Sequence, residues 1–553
     1  MSEPLRESQF APFLLTLILC LAWLAPGLVG HDPWKGDEAE TMGLVHSILS
    51  GAPAWLPTLA GQASASATPP LYPIVAALFA QWLSPLFPAH DGARLAGGTF
   101  ILLALVFASL TGRELYGRKH GRLVVLTLVG SIGLWLSAHE SIPQSAMLCG
   151  VSMFGYGVAT STRRAYLGGA IAGTGLGITF MSSGLVETIA LIATLLTLPL
   201  FSRVWRHITT LQSAFTTIIA ATPWLVLWPW QAMHAAPDWF VLWLHAQWQQ
   251  FVFWSPLSAH PTWYYINFLP WFAWPAWPLA LWTLSQGLRR KQMHSAGIAL
   301  PLVLWVCNTL VLSFATQPRA DLGLPLLLPL AWLAAGDSTT LRRGAANALY
   351  WFAIMTFGVL GAAVWLYWSA LDLGYPSQLA HHLHALQPRY QGQFRPWLVV
   401  MALLYSVSWL ALLSRLRRSA HRPLLAWAAG MTLSWGLVAF LFVYPIDQRL
   451  SYFDMTQSLA PHLPGNDCIS SLNINASARA MLDYYLDVQT LRESRPNQFT
   501  CPAMLVEYPE DVITPVLPGW HLTWQGKREG NHVEHYALYR RITYKKTARK
   551  LPR

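Results

Sequence analysis

The chain has 553 residues, of which 54% are hydrophobic and only 11% are charged. Soluble globular proteins usually carry about a quarter of their residues as charged side chains, so this composition excludes an ordinary water-soluble surface. The formal net charge is +11. Because the basic residues cluster in short gaps between apolar runs, they favour a membrane protein over a protein that binds nucleic acid.

The positions of the basic clusters predict how the chain crosses the membrane. The clusters fall in every second gap between apolar runs, as the positive-inside rule requires of cytoplasmic loops. We therefore expect a multi-pass protein of the bacterial inner membrane, with a cytoplasmic N-terminus and a periplasmic tail after the last apolar run. The clusters lie at residues 113–122, 163–164, 203–206, 289–291, 342–343 and 415–422.

The apolar runs predict about thirteen transmembrane helices, because one helical crossing needs about 20 apolar residues. The leader before the first run contains Glu3, Arg6 and Glu7 and is not basic, so we expect an uncleaved helix and not a signal peptide. The expected fold is an α-helical polytopic membrane protein whose transmembrane domain covers residues 1–443. The predicted spans are residues 10–30, 93–112, 122–138, 143–161, 165–182, 184–202, 208–230, 266–287, 296–315, 322–338, 346–370, 396–414 and 423–443.

Three stretches on the predicted exterior side are too long and too amphipathic to be simple connections, and such loops often carry function. The first has a helix-like run at 38–49, then a proline-rich sequence and a short apolar segment, which suit an interfacial or re-entrant helix. The second is rich in tryptophan, which predicts an aromatic belt at the membrane interface or a platform that stacks on sugars. These stretches are residues 31–92, 231–265 and 371–395.

The last part of the chain, residues 444–553, has shorter apolar runs and more charged, Asn and Pro residues. Its periodicity predicts helices at 451–460 and 476–486 and four short strands, which indicate a small periplasmic α/β domain. Cys468 and Cys501 are the only cysteines outside the predicted spans, and an oxidising exterior favours a disulfide between them. The predicted strands are residues 468–472, 503–507, 520–524 and 536–542.

A cluster of acidic residues follows the first predicted span. Asp32, Asp37, Glu38 and Glu40 lie close together in a chain that is otherwise poor in acids. If a helix begins at Asp37, its carboxylate caps exposed backbone amides, and the neighbouring acids favour the same positive helix end. The functional alternative is that Asp37 faces a cavity at the membrane surface, where it acts as a base towards an acceptor or holds a cation against a phosphate.

Three short motifs resemble those of the aminoarabinose transferase and protein O-mannosyltransferase relatives in the GT-C superfamily of membrane glycosyltransferases. The order of the spans, the long first exterior loop and the exterior C-terminal domain are also similar, so the resemblance runs through most of the chain. The motifs are Asp32-Pro-Trp-Lys-Gly-Asp-Glu-Ala-Glu, Pro69-Pro70-Leu71-Tyr72 and Gln317-Pro-Arg-Ala-Asp-Leu-Gly-Leu-Pro-Leu-Leu-Leu-Pro.

The resemblance implies a mechanism. A sugar carried on a polyprenyl phosphate enters from the membrane, and a lipid or protein acceptor attacks its anomeric carbon with inversion. The family's catalytic acid falls on Asp37, with Glu38 beside it. Arg319 is the first candidate to bind the departing phosphate, because arginine can donate two hydrogen bonds to it. Its alternative role is to extend to the lipid headgroups.

The resemblance also nominates substrate-binding residues and shows departures from the family pattern. Tyr72 lies in the proline motif, while Gln144 and Glu140 lie where the second exterior loop of relatives often supplies an acid. Relatives usually carry a lysine just before the paired prolines, where Thr68 stands, and another where this chain has residues 180–184. The departures imply either a different donor or a fold that persists without transferase activity.

Three functions compete at this point. The leading one is a glycosyltransferase of the cell envelope that modifies lipid A, another lipid or a protein, and the alternative is a non-catalytic carrier of lipid-linked sugars or an assembly partner. A secondary transporter is disfavoured, because the predicted spans hold few polar residues at the bilayer midplane. No cofactor is expected beyond, at most, a divalent metal ion. His381, His382 and His384 are neighbours, but no acid or cysteine at ligand spacing completes a metal site, so we assign no metal ligands.

Overall fold

A computed structural model describes residues 10–63, 68–251, 264–314, 319–386, 390, 392, 394–416, 419–465, 468–492, 501–509, 517–528 and 534–542. The chain forms two compact units. The first comprises Met1–His31, Ala54–Leu56 and Ser64–Val443, and the second joins Asp32–Pro53 and Pro57–Ala63 to Tyr444–Arg553. The acidic cluster that follows the first apolar run therefore belongs to the same unit as the C-terminal residues.

The described part of the chain is mostly helical, as the apolar runs predict. The helices are α1 (Phe10–Leu24), α2 (Asp37–Leu49), α3 (Leu71–Leu83), α4 (Ala89–Tyr116), α5 (His120–Val129), α6 (Gln144–Ser161), α7 (Ala165–Ser183), α8 (Leu185–Phe201), α9 (Ile208–Ala235), α10 (Pro237–Gln249), α11 (Tyr264–Phe272), α12 (Ala276–Arg289), α13 (Ala296–Ser313), α14 (Leu327–Asp337), α15 (Arg343–Asp372), α16 (Ser377–Leu386), α17 (Pro396–Arg415), α18 (Arg422–Leu441), α19 (Val443–Leu450), α20 (Phe453–Leu459) and α21 (Ala476–Leu486).

The first unit holds the helices that can span a membrane. Among the described residues, 7 helices are at least 18 residues long and apolar enough to cross, and several shorter helices are also apolar. The chain is thus an integral membrane protein with a helical membrane unit. The number of crossings, expected to be about thirteen from the length of the apolar runs, stays a prediction.

Two of the predicted spans are interrupted in the structure. The expected span at 122–138 contains the shorter helix α5, and the indole Nε1 of Trp427 donates to the Gly130 carbonyl at 2.8 Å. A side chain therefore satisfies a carbonyl at the helix end. The expected span at 266–287 is divided into α11 and α12 near Pro275, which has no backbone N–H to continue a helix.

The stretches predicted as long exterior loops contain helices of their own. In the first, α3 has 13 residues, too few for a full crossing, as expected for an interfacial or re-entrant helix. The tryptophan-rich stretch forms the end of α9 and all of α10, and the third forms α16. Residues 252–263, 387–389, 391 and 393 lie outside the described part of the chain.

Glycines set the close packing of α6 against α7. A Cβ added at Gly150 would meet the Gly175 carbonyl at 2.7 Å, and one at Gly157 would meet the Ala172 backbone nitrogen at 2.3 Å. Only small residues allow helix backbones to approach so closely. Since the contacts run in opposite directions along the two helices, Gln144 at the start of α6 lies at the same end of the unit as the end of α7.

The helices α8 and α13 are also antiparallel neighbours. At one end of the pair, the Ser202 hydroxyl donates to the His294 carbonyl at 2.6 Å. At the other end, Val186 packs with Leu312 in a small apolar cluster that includes Tyr265. The first turn of α8 therefore lies beside the last turn of α13.

The second unit is built on a mixed five-stranded sheet of order β2-β1-β3-β5-β4. β1 is parallel to β2 and β3, whereas β5 is antiparallel to β3 and β4. This confirms the four predicted strands and adds β2. The strands are β1 (Ile469–Leu472), β2 (Thr490–Arg492), β3 (Ala503–Pro509), β4 (Trp520–Arg528) and β5 (Glu534–Arg541).

Two further contacts hold the second unit together. A Cβ added at Gly43 of α2 would lie 2.6 Å from the Ala480 Cβ of α21, so a glycine is needed where these helices touch. Cys468, just before β1, and Cys501, just before β3, form a disulfide. The bond joins the chain at the beginnings of two paired strands.

Candidate active site

The helix α2 begins at Asp37, where the sequence predicts a helix start. Gly36 precedes it with φ 99°, a backbone conformation that favours glycine. Asp37 is half-buried, whereas Glu38 is only 2% exposed. The Glu38 carboxylate accepts a hydrogen bond from the Trp34 backbone N–H at 3.0 Å. Glu38 thus holds the turn ahead of the helix, while the Asp37 side chain is partly open to solvent.

The segment before Asp37 is fixed by residues from the C-terminal part of the same unit. Asp447 Oδ1 accepts from the Asp32 backbone N–H and from the Trp34 indole, each at 3.1 Å. The Ser451 hydroxyl donates to Asp32 Oδ2 at 2.8 Å. These hydrogen bonds restrict the conformations open to the acidic segment.

A second anchor of this segment is the carboxylate of Glu534 on β5. It forms an ion pair with Lys35 and accepts from Arg528 Nε at 2.9 Å and from the Tyr536 hydroxyl at 2.8 Å. Burial raises the pKa of Glu534, but the hydrogen bonds from Arg528 and Lys35 outweigh it and lower the pKa to about 2. The carboxylate is therefore ionised, and it binds Lys35 two residues before Asp37.

Glu40 lies one turn from the helix start and differs from its acidic neighbours. The Ser477 hydroxyl of α21 donates to Glu40 Oε1 at 3.2 Å. Burial raises the pKa of Glu40, although this hydrogen bond opposes the shift. Glu40 therefore helps to hold α2 against α21, which makes it a useful control for Asp37.

In the first unit, a buried ion pair holds the residues that precede the acidic segment. Arg94 is 0% exposed and donates from Nη1 to Asp91 Oδ1 at 2.8 Å. The Asp91 oxygens accept from the Gly30 N–H at 3.1 and 3.0 Å, and Arg94 Nη2 donates to the His31 carbonyl at 3.2 Å. The pair therefore fixes the last residues of the chain before it enters the second unit.

Two of the predicted substrate-binding residues meet at an aspartate that the sequence analysis did not assign. Gln144 Nε2 donates to Asp321 Oδ2 at 2.6 Å, and Arg319 Nε donates to Asp321 Oδ1 at 3.1 Å. The Tyr265 hydroxyl lies 3.4 Å from the Arg319 backbone. Gln144 and Arg319, which are far apart in sequence, are therefore neighbours at one end of the helical unit.

The other predicted substrate-binding residues have different surroundings. Tyr72 is 0% exposed, and its hydroxyl is 3.0 Å from Ser141 Oγ. Glu140 is half-buried and directly precedes Ser141 in the chain. Tyr72 thus contacts the segment that connects Glu140 to Gln144, and all of these residues belong to the first unit, whereas Asp37 and Glu38 belong to the second.

Three acids of the first unit were not assigned from the sequence. Asp321 lies two residues after Arg319 in the motif that begins at Gln317. Its place in that motif could have nominated it as a site residue. Asp91 lies three residues before Arg94, a spacing that pairs opposite charges on a helix. Glu187 stands inside an apolar helix, and an ionisable residue there indicates function by default.

No metal site is evident in the described part of the chain. Within those ranges, no group of three or more His, Cys, Asp or Glu side chains is placed to bind a metal ion. His381, His382 and His384 all lie on α16.

Comparison with solved structures finds the same fold. ArnT from Cupriavidus metallidurans, bound to undecaprenyl phosphate, aligns with a TM-score of 0.66 and 14% identity over 96% of this chain and 98% of that one. Its apo state aligns with a TM-score of 0.67 and 15% identity over the same shares. The similarity covers nearly the whole chain and shows that the two proteins share an architecture.

Comparison of sequences finds similarity to aminoarabinose transferases. The undecaprenyl phosphate-alpha-4-amino-4-deoxy-L-arabinose arabinosyl transferase of Pseudomonas paraeruginosa is 28% identical over 440 residues, 77% of this chain and 74% of the relative. The Pseudomonas aeruginosa protein of the same name is 27% identical over 441 residues, with the same shares covered. No known protein-family profile matches the chain.

The chain shares the fold of ArnT, with a helical membrane unit and a small unit built on a sheet. In sequence, the chain is similar to the aminoarabinose transferases, as its motifs also indicate.

Proposed function

We propose that this chain is an integral-membrane glycosyltransferase that moves a sugar from a polyprenyl-phosphate donor to a lipid or protein acceptor, with lipid A as one candidate. The observation that carries the proposal is Asp37, a half-buried carboxylate at the start of α2 whose preceding segment is held by Asp447 and Glu534. The ArnT fold over nearly the whole chain supports it. The relatives are named for an undecaprenyl-phosphate donor.

The proposed reaction is a single displacement. An acceptor oxygen forms a bond to the anomeric carbon while the bond from that carbon to the donor phosphate oxygen breaks, which inverts the configuration. Asp37 takes the proton of an acceptor hydroxyl as a general base. The polyprenyl phosphate leaves with the bonding electrons as an anion.

Arg319 is proposed to stabilise the negative charge that develops on the leaving phosphate. Its side chain is 46% exposed and is oriented by Asp321. A guanidinium group can donate two hydrogen bonds to one phosphate, and such charge-assisted bonds are stronger than neutral ones. Gln144, Tyr72 and Glu140 are proposed to shape the sugar subsite beside it. Glu38 is proposed to support catalysis by holding the turn before Asp37.

We propose that the transfer uses no cofactor. In the alternative, Asp37 binds a divalent metal ion that holds the donor phosphate, and a chelator would then stop transfer until the ion is restored. We also propose that the N-terminus is cytoplasmic and that residues 444–553 are periplasmic, because this orientation puts the basic clusters on the cytoplasmic side.

The second candidate function is a non-catalytic carrier or assembly partner. Thr68 and residues 180–184 stand where relatives usually carry lysines, and this favours the second candidate. The transferase and the carrier both predict that the chain binds a lipid-linked sugar, whereas an assembly partner does not require it. They differ in whether the sugar is transferred and in whether Asp37 is needed.

The test is Asp37→Asn in the full-length protein. The variant should fold and bind donor, but its transfer rate should fall about a hundredfold or more, since a proton acceptor in the transition state is lost. Gly36, not Asp37, is the N-cap residue, so the structural cost of Asp37→Asn is loss of a favourable charge in the first turn, worth about 0.3–1 kcal/mol. Glu40→Gln is the matched control and should keep most of the activity. A well-folded Asp37→Asn protein with near-normal turnover would favour the carrier function.

A further inference from the structure

A group of basic side chains lies where α5 and α18 begin, and the proposed transfer does not use it. Lys119, His120 and Arg122 stand at the start of α5, and His421 and Arg422 stand at the start of α18. The two helices are in contact. Burial lowers the pKa of His421, and the nearby charges of Arg122, His120 and Lys119 lower it further. The five side chains therefore form one basic cluster.

Three nitrogen atoms of the basic cluster are buried without a hydrogen bond. They are Nδ1 of His120, Nδ1 of His421 and Nε of Arg422, and none has a partner within the described part of the chain. Arg422 Nε always carries a hydrogen, so it is a donor that lacks an acceptor. Since a buried donor without an acceptor is costly, the cluster requires an acceptor that the described residues do not supply.

Three other clusters of basic residues have acceptors within the chain. Arg163 forms an ion pair with Glu114, and Arg290 pairs with Asp337 at 3.0 Å. Arg206 donates to two backbone carbonyls, each at 2.6 Å. The positive-inside rule explains why cations collect in these loops. It does not explain why the basic cluster alone of these four keeps buried donors without acceptors.

A phosphate group has the properties that the basic cluster requires. Its oxygens accept hydrogen bonds, and its negative charge strengthens the bonds that arginine donates. Both α5 and α18 also begin without a hydrogen bond from a capping side chain. The N–H groups of their first turns therefore add to the positive potential at this place.

An apolar surface begins beside the basic cluster. The guanidinium carbon of Arg422 lies 3.6 Å from the ring centre of Tyr350 on α15. Trp351, Met355 and Val359 follow on α15 with a spacing that places them on one face, and they are 61%, 63% and 67% exposed. The acyl chains of a phospholipid can lie along this face while its phosphate occupies the cluster. A free phosphate ion would leave the face uncovered.

We propose that the basic cluster binds the phosphate group of an anionic membrane phospholipid, whose acyl chains lie along the exposed face of α15. Arg122 and Arg422 donate to the phosphate oxygens, and the exposed Lys119 adds positive charge at the edge of the site. In the proposed orientation this lipid belongs to the cytoplasmic leaflet. The site uses none of the residues proposed for sugar transfer, so its test does not depend on catalysis.

The experiment measures lipid binding to the full-length protein by native mass spectrometry in detergent. One probe is dioleoylphosphatidylglycerol, which is anionic, and the other is dioleoylphosphatidylcholine, which has the same acyl chains and no net charge. The wild type is compared with the double variant Arg122→Gln, Arg422→Gln. The matched control is Arg203→Gln, Arg289→Gln, which removes the same charge from two exposed residues of other basic clusters.

The wild type should bind phosphatidylglycerol about tenfold more tightly than phosphatidylcholine, because each cation of the site attracts the anionic headgroup. Arg122→Gln, Arg422→Gln should lose this preference through weaker binding of phosphatidylglycerol alone, and the control should keep it. Phosphatidylglycerol should also raise the unfolding midpoint of the wild type more than that of the double variant. If the double variant fails to fold, Lys119→Gln, Arg122→Gln leaves the contact between Arg422 and Tyr350 intact and should show a smaller loss of the same kind.

Four outcomes would overturn the inference. Equal affinity of the wild type for the two lipids would show that the headgroup charge is not recognised, and an equal loss in the control would show that only net charge matters. Displacement of phosphatidylglycerol by inorganic phosphate at the same concentration would assign the site to free phosphate. Tighter binding of poly-glutamate than of phosphatidylglycerol would assign it to an acidic partner protein. A wild type that transfers no sugar would contradict the proposed function and leave this inference unchanged.

Discussion

Arg94 and Asp91 form an ion pair inside the first unit, with Arg94 fully buried and the charged atoms 2.8 Å apart. Each partner also binds the backbone of the segment after α1, Asp91 through the Gly30 N–H and Arg94 through the His31 carbonyl. All four groups are therefore satisfied together. Loss of either charge would remove a hydrogen-bonded counter-ion from a buried group.

We predict that Arg94→Met destabilises the protein by about 3–5 kcal/mol, because it removes the guanidinium group that balances the buried carboxylate of Asp91. Thermal unfolding in detergent, followed by tryptophan fluorescence, measures the effect. The double variant Arg94→Met with Asp91→Asn should recover part of the loss, since the buried carboxylate is removed as well. Equal stability of the wild type and Arg94→Met would show that the pair contributes nothing.

The pKa of Glu534 leads to a prediction about pH. Its folded value, about 2, lies below the ordinary 4.5, so the folded state favours the ionised form. This contribution is present above pH 4.5 and is lost as the pH falls towards 2, and it amounts to about 3 kcal/mol. Glu534→Gln should therefore lower the unfolding midpoint at pH 7 much more than at pH 3. Glu40→Gln should not show this pattern, because the pKa of Glu40 is shifted upward.

The disulfide between Cys468 and Cys501 closes a sequence separation of 33 residues. A cross-link of that length typically stabilises a protein by about 2–4 kcal/mol. Treatment with dithiothreitol should lower the unfolding midpoint of the wild type and leave a Cys468→Ser, Cys501→Ser variant unchanged. Mass spectrometry of non-reduced peptides from membranes should recover the linked pair. Two free thiols in that material would contradict the bond.

The proposed orientation can be checked with reporters fused inside the chain. Fusions at Arg290 should show cytoplasmic activity, and fusions at Asp238 should show periplasmic activity, because basic clusters stay in the cytoplasm. Fusions at Arg417, on the predicted cytoplasmic side, and Asn466, on the predicted periplasmic side, extend the test to positions outside the described residues. Reversed signals at either described position would overturn the orientation.

Much of the fold could be predicted because its signals are local. The helix start at Asp37 and the helix Ala476–Leu486 follow from capping and periodicity. β2 was missed because its three residues are too few to show an alternating pattern. The early end of α5 was also missed, since it depends on Trp427, a residue distant in sequence.

The candidate site could be predicted only in part, and for a similar reason. The resemblance to a family nominated Asp37 and Arg319 one residue at a time. Sequence patterns do not show which loops are neighbours in the fold. The sequence therefore did not predict that Gln144 and Arg319 both donate hydrogen bonds to Asp321. Glu187 carried a usable signal, an acid within an apolar run, that could have been weighed from the sequence.

The second unit is discontinuous, and this has a consequence for biosynthesis. Its residues Asp32–Pro53 are synthesised before the helices of the first unit that follow them, whereas their partners in Tyr444–Arg553 are synthesised after those helices. Residues Asp32–Pro53 therefore lack the sheet they pack with until the intervening helices have been inserted. Lys35 can pair with Glu534 only after all the intervening residues have been synthesised. The second unit, which contains the proposed catalytic residue Asp37, can therefore fold only after the helices are inserted. A chain that lacks the C-terminal residues cannot complete this unit.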